Sequence, residues 1–381
     1  MNKYILSLLF TRGMSLELWV SLGLFDREKL LYEEHLKQNN LKKIYWFTYG
    51  TKDKEIAASL RIQGALDKDI EVIQMPLIFK GYKIGSFIYS LILPIIHKEI
   101  FNKSDILKSN QIDGSWSGLL ASKLYNKPFI NRTGYTLSVF AEKKNLFKFI
   151  QLAIGVIERF TYKYSSINVV SSNEDKNYLI NKYGVSEDKI EVIVNYIDTD
   201  LFRPLGFQKY SDRIVFVGRL DAQKNLFNLI KAMSKTNLIL DVYGDGPLKK
   251  QLISFSEKME VVVNFKGIVA NKDLPIILNK YKYYILISFY EGMPKTLLEA
   301  MACGCICLGT NVSGIREVIN NEVNGYLSEE VDFSGIANLI YLVVNSENKE
   351  NISINARNTI LNYFSLKEAA KNELLVFSRV N

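Results

Sequence analysis

Thiols and imidazoles are scarce in this sequence, with three cysteines and two histidines in 381 residues. Cys303, Cys305 and Cys307 alternate within one short stretch, no fourth sulfur stands nearby, and His35 and His97 are remote in sequence. This argues against a cysteine–histidine metal site and fits small apolar residues at a helix end and on a buried strand, in a reducing compartment. Long apolar runs are missing too. The longest, Ile84 to Ile96, is too short to span a bilayer and contains Pro94. The first ten residues, MNKYILSLLF, carry one lysine, are followed by Arg12 and have no small-x-small cleavage pattern, so they read as a first strand and not as a signal peptide. Neither an internal repeat nor a low-complexity segment interrupts the chain.

What is present suits a large folded chain. The length predicts two domains of ordinary size. A hydrophobic fraction of 48% with 23% charged residues excludes disorder. The net charge of +8 is uneven, because residues 1–205 hold 28 Lys and Arg against 22 Asp and Glu. A positive excess in the first half favours acidic partners such as anionic lipid or diphosphate-linked substrates, and charge alone leaves nucleic acid open.

Strand-like and helix-like segments alternate from the start. Tyr4 to Phe10, Ile44 to Tyr49, Ile70 to Gln74, Asp105 to Lys108, Phe129 to Arg132 and Ile167 to Val170 read as strands. Helical segments lie between them: one reaching about Lys37, then Asp53 to Leu66, Phe87 to Ile100, a helix from Trp116, and a long segment from Val139 to Tyr164. That alternation predicts parallel α/β architecture.

The most informative stretch is EGMPKTLLEAMACG, Glu291 to Gly304. Pro294 stands at a first helical position, Gly304 at a C-terminal stop, and good helix formers fill the interval. With the apolar run Tyr284 to Ser288 upstream, the segment reads as a strand, a loop carrying Glu291 and Gly292, and a helix. The amide groups and dipole of such a helix N-terminus suit a phosphate or diphosphate. Glu299 falls on a helix that is otherwise apolar nearly all round, either as a solvated edge or as an acceptor for ribose hydroxyls.

Glu291 and Glu299 enclose seven residues, and three further blocks occur in order: VIVNYIDTDLFRP from Val192, GRLDAQKN from Gly218 and VYGDGPL from Val242. Together they resemble the E-x7-E retaining glycosyltransferases of the large family-four group, over nearly all of the C-terminal half and patchily before about residue 165. The resemblance implies the GT-B fold, two facing Rossmann-like parallel-sheet domains with a cleft between them. It divides the chain into an acceptor domain, 1–205, with a helix from about 366 to 381 crossing back, and a nucleotide-sugar domain, 206–365. It implies retaining, metal-independent transfer of a sugar from a UDP- or GDP-sugar to a glycan or lipid-linked acceptor in cell-surface polysaccharide synthesis.

Catalytic roles then fall to Glu291, Arg219 and Lys224. Arg219 and Lys224 would place two positive charges at the diphosphate, Arg as a planar fork and Lys as a point charge. Donor contacts are expected from Gly13, Gly218, Gly244, Gly267, Ile268, Gly292, Met293, Lys295, Thr296 and Glu299. A G-x-G at Gly244 and Gly246 lacks the third glycine of a dinucleotide fingerprint, so no nicotinamide or flavin cofactor is expected. The pair Asp198 and Asp200 lies in a linking loop and reads as capping, with no metal expected.

Loops after strands in the first half supply the acceptor candidates Asn110, Trp116, Arg132 and Tyr135. Many of the resembling enzymes have a histidine in the loop corresponding to Arg132 to Gly134; this sequence has none, so a histidine-assisted step is not carried over. The segment from Ala141 to Tyr164 mixes Lys143, Lys144 and Lys148 with Phe147, Phe149 and Ile150. It reads either as a face resting on anionic membrane or as a partly exposed core helix with a basic end. The resemblance implies a cytoplasmic location, peripheral on the inner face of the membrane, with no nucleic-acid partner. Two other classes stay open, a nucleotide-sugar epimerase of the same fold and a non-catalytic sugar-nucleotide-binding protein.

Overall fold

A computed structural model describes residues 3–81, 84–134, 138 and 147–381. The chain forms two compact units, one of residues 1–194 and 369–381 and the other of residues 195–368.

The first unit is built on strands β1 (Tyr4–Leu9), β2 (Leu41–Phe47), β3 (Ile70–Ile73), β4 (Ile106–Ser109), β5 (Phe129–Arg132), β6 (Ile167–Val170) and β7 (Ile190–Val192). All pair in parallel, in the order β3-β2-β1-β4-β5-β6-β7. β4 and β6 are buried along their whole length, as expected of parallel strands covered on both faces. The covering helices are α1 (Leu16–Ser21), α2 (Phe25–Lys37), α3 (Asp53–Ile62), α4 (Gly85–Ile96), α5 (Lys98–Lys103), α6 (Ser115–Tyr125), α7 (Lys148–Tyr164) and α8 (Asn173–Tyr183). One core cluster joins Leu6, Leu8, Trp19 and Trp46, and a second joins Phe47, Tyr89, Phe101 and Phe129.

The second unit repeats the plan with β8 (Tyr210–Val217), β9 (Ile239–Tyr243), β10 (Val263–Gly267), β11 (Tyr281–Leu286), β12 (Ile306–Thr310) and β13 (Tyr326–Ser328), in the order β10-β9-β8-β11-β12-β13. Its helices are α9 (Leu226–Met233), α10 (Lys249–Lys258), α11 (Leu274–Leu278), α12 (Lys295–Ala302), α13 (Ser313–Arg316), α14 (Phe333–Asn345) and α15 (Lys349–Tyr363). Helix α16 (Leu366–Val380) ends the chain, and its residues from Ala369 belong to the first unit. In both sheets the strand order reverses once, between β1 and β4 and between β8 and β11. Ligands of open α/β sheets bind beyond the carboxyl ends of the strands at such a reversal.

The expected boundary at 205/206 lies instead at Val194/Asn195, because the linking loop is tied down by the second unit. Arg357 donates to the carbonyls of Thr199 and Phe202 at 2.9 and 2.6 Å, and Asn195 Nδ2 donates to the carbonyl of Met293 at 3.2 Å. Asp198 Oδ1 accepts from the amides of Asp200 and Leu201, a local turn cap. The single helix expected up to Lys37 is two, separated at Gly23, whose φ of +66° no helix accommodates. The strand expected at Tyr284 to Ser288 is β11, shifted upstream, because Ser288 leaves the ladder to hydrogen-bond Glu291.

Helix α16 docks by an apolar stripe with one acid in it. Ala369, Ala370, Glu373, Val376 and Phe377 are buried at the spacing of one helix face. Glu373 meets two bases that are themselves fully buried. Its Oε1 accepts from Lys108 Nζ on β4, and its Oε2 lies 3.0 Å from His35 Nε2. Burial alone would raise the Glu373 pKa, but Lys108 and His35 outweigh it and hold the carboxyl at about 2.

Candidate active site

In the second unit the loops after β8, β9 and β10 are laced into one surface. Gly218 N donates to Tyr243 O at 3.0 Å, Leu220 N to Asp245 O at 3.0 Å, and Gly244 N to Gly267 O at 2.8 Å. Close approach explains the G-x-G: a Cβ on Gly244 would lie 1.8 Å from the carbonyl oxygen of Gly218, and one on Gly246 would lie 2.4 Å from that of Leu220. These glycines let two backbones touch, which is why the pattern arises without a third glycine.

From this surface Lys224 reaches the loop after β11. Its Nζ lies 2.5 Å from Glu291 Oε1, which also accepts from Ser288 Oγ at 2.5 Å, while Glu291 Oε2 accepts from Gln223 Nε2 at 3.3 Å. The Glu291 side chain is only 7% exposed, so these three donors hold a nearly dry carboxylate in one orientation. Gln223 also clamps the loop backbone, accepting Phe289 N at 2.9 Å and donating to Tyr290 O at 2.8 Å. Arg219 is placed differently. Its side chain is 72% exposed, with Asp221 Oδ2 at 3.6 Å as its nearest acidic neighbour.

Helix α12 follows four residues after Glu291. It starts at Lys295, one residue later than expected, with Pro294 as the cap. It ends in a Schellman arrangement, Cys305 N to Ala300 O and Gly304 N to Met301 O, with Gly304 at φ +70°. Glu299 is buried, and its Oε1 accepts from Asn271 Nδ2 at 3.1 Å, so it faces the loop after β10. Thr296 points inward and accepts from Tyr284 OH at 2.9 Å. The ammonium of Lys295 lies 5.8 Å from the ring centre of Tyr196. Gly267 has φ +77°, and Ile268 beside it is 79% exposed, an apolar side chain at the rim.

Sequence reasoning missed three supports of this site. Gly314 is the sharpest: a Cβ there would lie 1.3 Å from the carbonyl oxygen of Gly292, so α13 presses its backbone onto the Glu291–Gly292 loop. Gln223, inside the GRLDAQKN block but given no role there, and Asn271, an amide with no motif to mark it, are the others. The cysteines lie behind the site as buried free thiols, and burial pushes Cys305 up to about 11.

The acceptor candidates belong to the first unit. Gln111 Oε1 accepts from Gly134 N at 2.8 Å, joining the loop after β4 to the loop after β5. Asn110 N donates to Leu9 O at 2.8 Å, Arg132 is half-buried, and Trp116 Nε1 donates to Ser90 Oγ at 2.9 Å. Tyr135, Lys143 and Lys144 lie outside the described residues. Gly13, at φ +82° after β1, has open space where a Cβ would stand, so the turn alone calls for glycine. Its neighbour Arg12 was not singled out. Arg12 pairs with Asp113 at 3.0 Å, and its guanidinium lies 5.8 Å from the ring centre of Trp116 and 6.0 Å from that of Phe87.

Residues 198–359 match the family model described as glycosyl transferases group 1. The chain is 28% identical over 322 residues, 79% of its length and 82% of the relative's, to the UDP-Gal:alpha-D-GlcNAc-diphosphoundecaprenol alpha-1,3-galactosyltransferase of Escherichia coli. It is 30% identical over 179 residues to the lipopolysaccharide 1,6-galactosyltransferase of Escherichia coli K12, spanning 48% of that protein. Among solved structures, the glycosyltransferase from Rickettsia africae superposes with a TM-score of 0.74 at 19% identity, over 100% of this chain and 99% of that one. Anabaena Alr3699/HepE in complex with UDP and glucose superposes with a TM-score of 0.72 at 18% identity, over 99% and 100%. The two parallel-sheet units thus have the GT-B fold.

Proposed function

From a chain that belongs to the group 1 glycosyltransferases of GT-B fold, we propose a retaining enzyme that moves a sugar from a nucleotide-diphosphate donor to a lipid-linked or glycan acceptor in cell-surface glycan synthesis. One observation carries the reading: the ion pair of Lys224 with Glu291 at the strand-order reversal, four residues ahead of the N-terminus of α12. Lys224, the exposed Arg219 fork and the helix N-terminus offer positive potential to the charge that grows on a leaving diphosphate. Glu291 accepts hydroxyls of the donor sugar, and Glu299 those of the ribose. The attacking hydroxyl enters on the face the diphosphate leaves, and the leaving phosphate takes its proton. The chain supplies the charge by itself, so the transfer proceeds without a metal.

The donor is a UDP-sugar on the strength of the relatives, one named for UDP-Gal and another solved with UDP and glucose. The acceptor class follows the diphosphoundecaprenol-linked and lipopolysaccharide substrates in the relatives' names, and an acceptor of that class supports a reading in which the enzyme works at the cytoplasmic face of a membrane. The test is nucleotide release from a panel of UDP- and GDP-sugars with polyprenyl-diphosphate-linked sugars as acceptors, and NMR of the product anomer. An α-linked product from an α-linked donor supports retention. Free sugar formed without any acceptor would favour an epimerase, and an inverted product would end the same-face mechanism.

A further inference from the structure

Helix α4 turns an apolar stripe outward. Ile84, Phe87, Ile88, Leu91 and Ile95 are each more than 40% exposed and recur at helical spacing, while Tyr89, Ser90, Leu93 and Pro94 face inward. Helices α6 and α7 do the same beside it, with Leu120 and Leu124 on α6 and Leu152, Val156 and Phe160 on α7. The three lie side by side as one layer. Phe87 and Trp116 place their ring centres 6.1 Å apart, Tyr125 OH donates to Pro94 O at 2.9 Å, and Lys123 Nζ lies 5.8 Å from the ring centre of Tyr164. The sheet side of the layer is closed: a Cβ on Gly118 would lie 2.3 Å from the Phe129 ring, and Tyr162 is fully buried. The stripes therefore share one outward face.

The charge on that face has one sign. Helix α4 carries no charged residue, α6 only Lys123, and α7 Lys148, Arg159, Lys163 and the single acid Glu158. Glu158 is buried, accepting from Ser138 N at 3.2 Å and Tyr183 OH at 2.6 Å, so only the cations meet solvent. We infer that the α4–α6–α7 face seats the first unit on an anionic lipid bilayer, its apolar stripes in the acyl boundary and its cations at the headgroups. Helices of this pattern lie in the interface, with basic stems reaching up to phosphate. None of the described helices is long and apolar enough to cross a membrane, so the face rests on the bilayer. A second copy fits less well, because a two-fold contact would set the cationic fringe against itself. At the edge of the layer, Arg12 stands between Phe87 and Trp116, where a lipid-linked diphosphate would arrive. For that last step the inference rests on the acceptor class proposed above.

The test is flotation of the full chain with vesicles of phosphatidylcholine alone or mixed with phosphatidylglycerol, at low and high salt. The parent should float with the mixed vesicles. Leu91→Glu combined with Leu152→Glu should lower the bound fraction about tenfold, and charge reversal at Arg159 and Lys163 should remove the preference for anionic lipid. Both sites are exposed, and an unchanged melting temperature confirms the fold. A parent that floats with neither vesicle, or variants that float like the parent, overturn the inference. So does a parent that is a dimer by light scattering and becomes a monomer on Leu91→Glu with no change in flotation. Nucleotide release with a short water-soluble acceptor is read in parallel. Flotation without turnover leaves the surface standing and sinks the transferase reading, and turnover without flotation does the reverse.

Discussion

Lys224 Nζ sits 2.5 Å from Glu291 Oε1 although 67 residues separate them in the chain. The pair joins the loop after β8 to the loop after β11, and on the proposed function the ammonium exchanges toward phosphate and the carboxylate toward sugar hydroxyls. Residues that act as a unit are non-additive. Lys224→Ala and Glu291→Gln should each lower kcat/KM by about 30- to 1000-fold, or about 2 to 4 kcal/mol. The double variant should fall little further than the worse single one. Arg219→Ala, removing a mostly exposed cation, should lower turnover without moving the melting temperature. Steady-state kinetics of the four variants checks this, and multiplied losses in the double variant would mean the two side chains work independently.

The backbone contact of Gly314 with Gly292 predicts a loss of function from a single methyl group. A Cβ 1.3 Å from a carbonyl oxygen cannot be accommodated without moving the Glu291–Gly292 loop. Gly314→Ala should therefore abolish detectable donor binding. Gly267→Ala, where no atom stands within 4 Å but φ is +77°, should cost only about 1 to 2 kcal/mol of strain. Isothermal titration with UDP would resolve the difference. Equal affinity for UDP in Gly314→Ala and the parent would show that the loop does not shape the donor site.

Much of this was legible from periodicity. β5 and β6 have the bounds expected for Phe129 to Arg132 and Ile167 to Val170, where each strand carries a polar residue, Asn131 or Asn168, among its apolar ones and the two are hydrogen-bonded to each other across the sheet. The Glu291 and Lys224 blocks were legible because the residue types, their spacing and the resemblance agreed. What stayed hidden was pairing across long sequence separations. Glu373 reads as an ordinary helix glutamate until Lys108, 265 residues away, is placed beside it. Gly314 reads as a loop glycine until the carbonyl of Gly292 lies under it. A periodic pattern shows which face is buried, and it says nothing of which residue on another element will meet that face.

Glu373 also sets a pH dependence. Its carboxyl is held at about 2 against an ordinary 4.5, so it contributes stability that is fully present above the unfolded value and is lost as pH falls from about 4.5 toward 2. Glu373→Gln removes the charged partner of Lys108, whose pKa burial already lowers, and should destabilise the protein by about 3 to 5 kcal/mol at neutral pH. Urea unfolding between pH 7 and 3 measures both, and the gap between parent and variant should narrow as the pH drops. A constant gap would mean that Glu373 acts by packing and not by charge.

The metal-free reading is tested with chelator. Asp198 is engaged in capping its own turn, and the proposed mechanism takes its cationic charge from Arg219 and Lys224. Nucleotide release should therefore persist in excess EDTA, with any enhancement by magnesium under about threefold. An absolute requirement for manganese or magnesium would move the charge stabilisation from these side chains to a metal.

The proposed function gives the two glutamates different work. On the proposed reading Glu291, in the loop before α12 and held by Lys224, Ser288 and Gln223, meets the donor near the carbon that reacts, where charge and geometry change most. Glu299 lies further along the helix, buried and turned to Asn271. On this reading it meets only the ribose, which is the same in ground and transition states. An interaction made equally in both states sets KM, and one made only in the transition state sets kcat. Glu291→Gln should lower kcat with little change in the affinity for free UDP. Glu299→Gln should raise the KM for the donor and weaken UDP by about 10- to 100-fold, the loss of a charged hydrogen bond of about 1.5 to 3 kcal/mol. Asn271→Ala tests whether the partner of Glu299 positions it, since it should raise KM in the same direction by a smaller factor and leave kcat alone. If Glu299→Gln bound UDP as tightly as the parent while Glu291→Gln did not, the two roles would have to be exchanged.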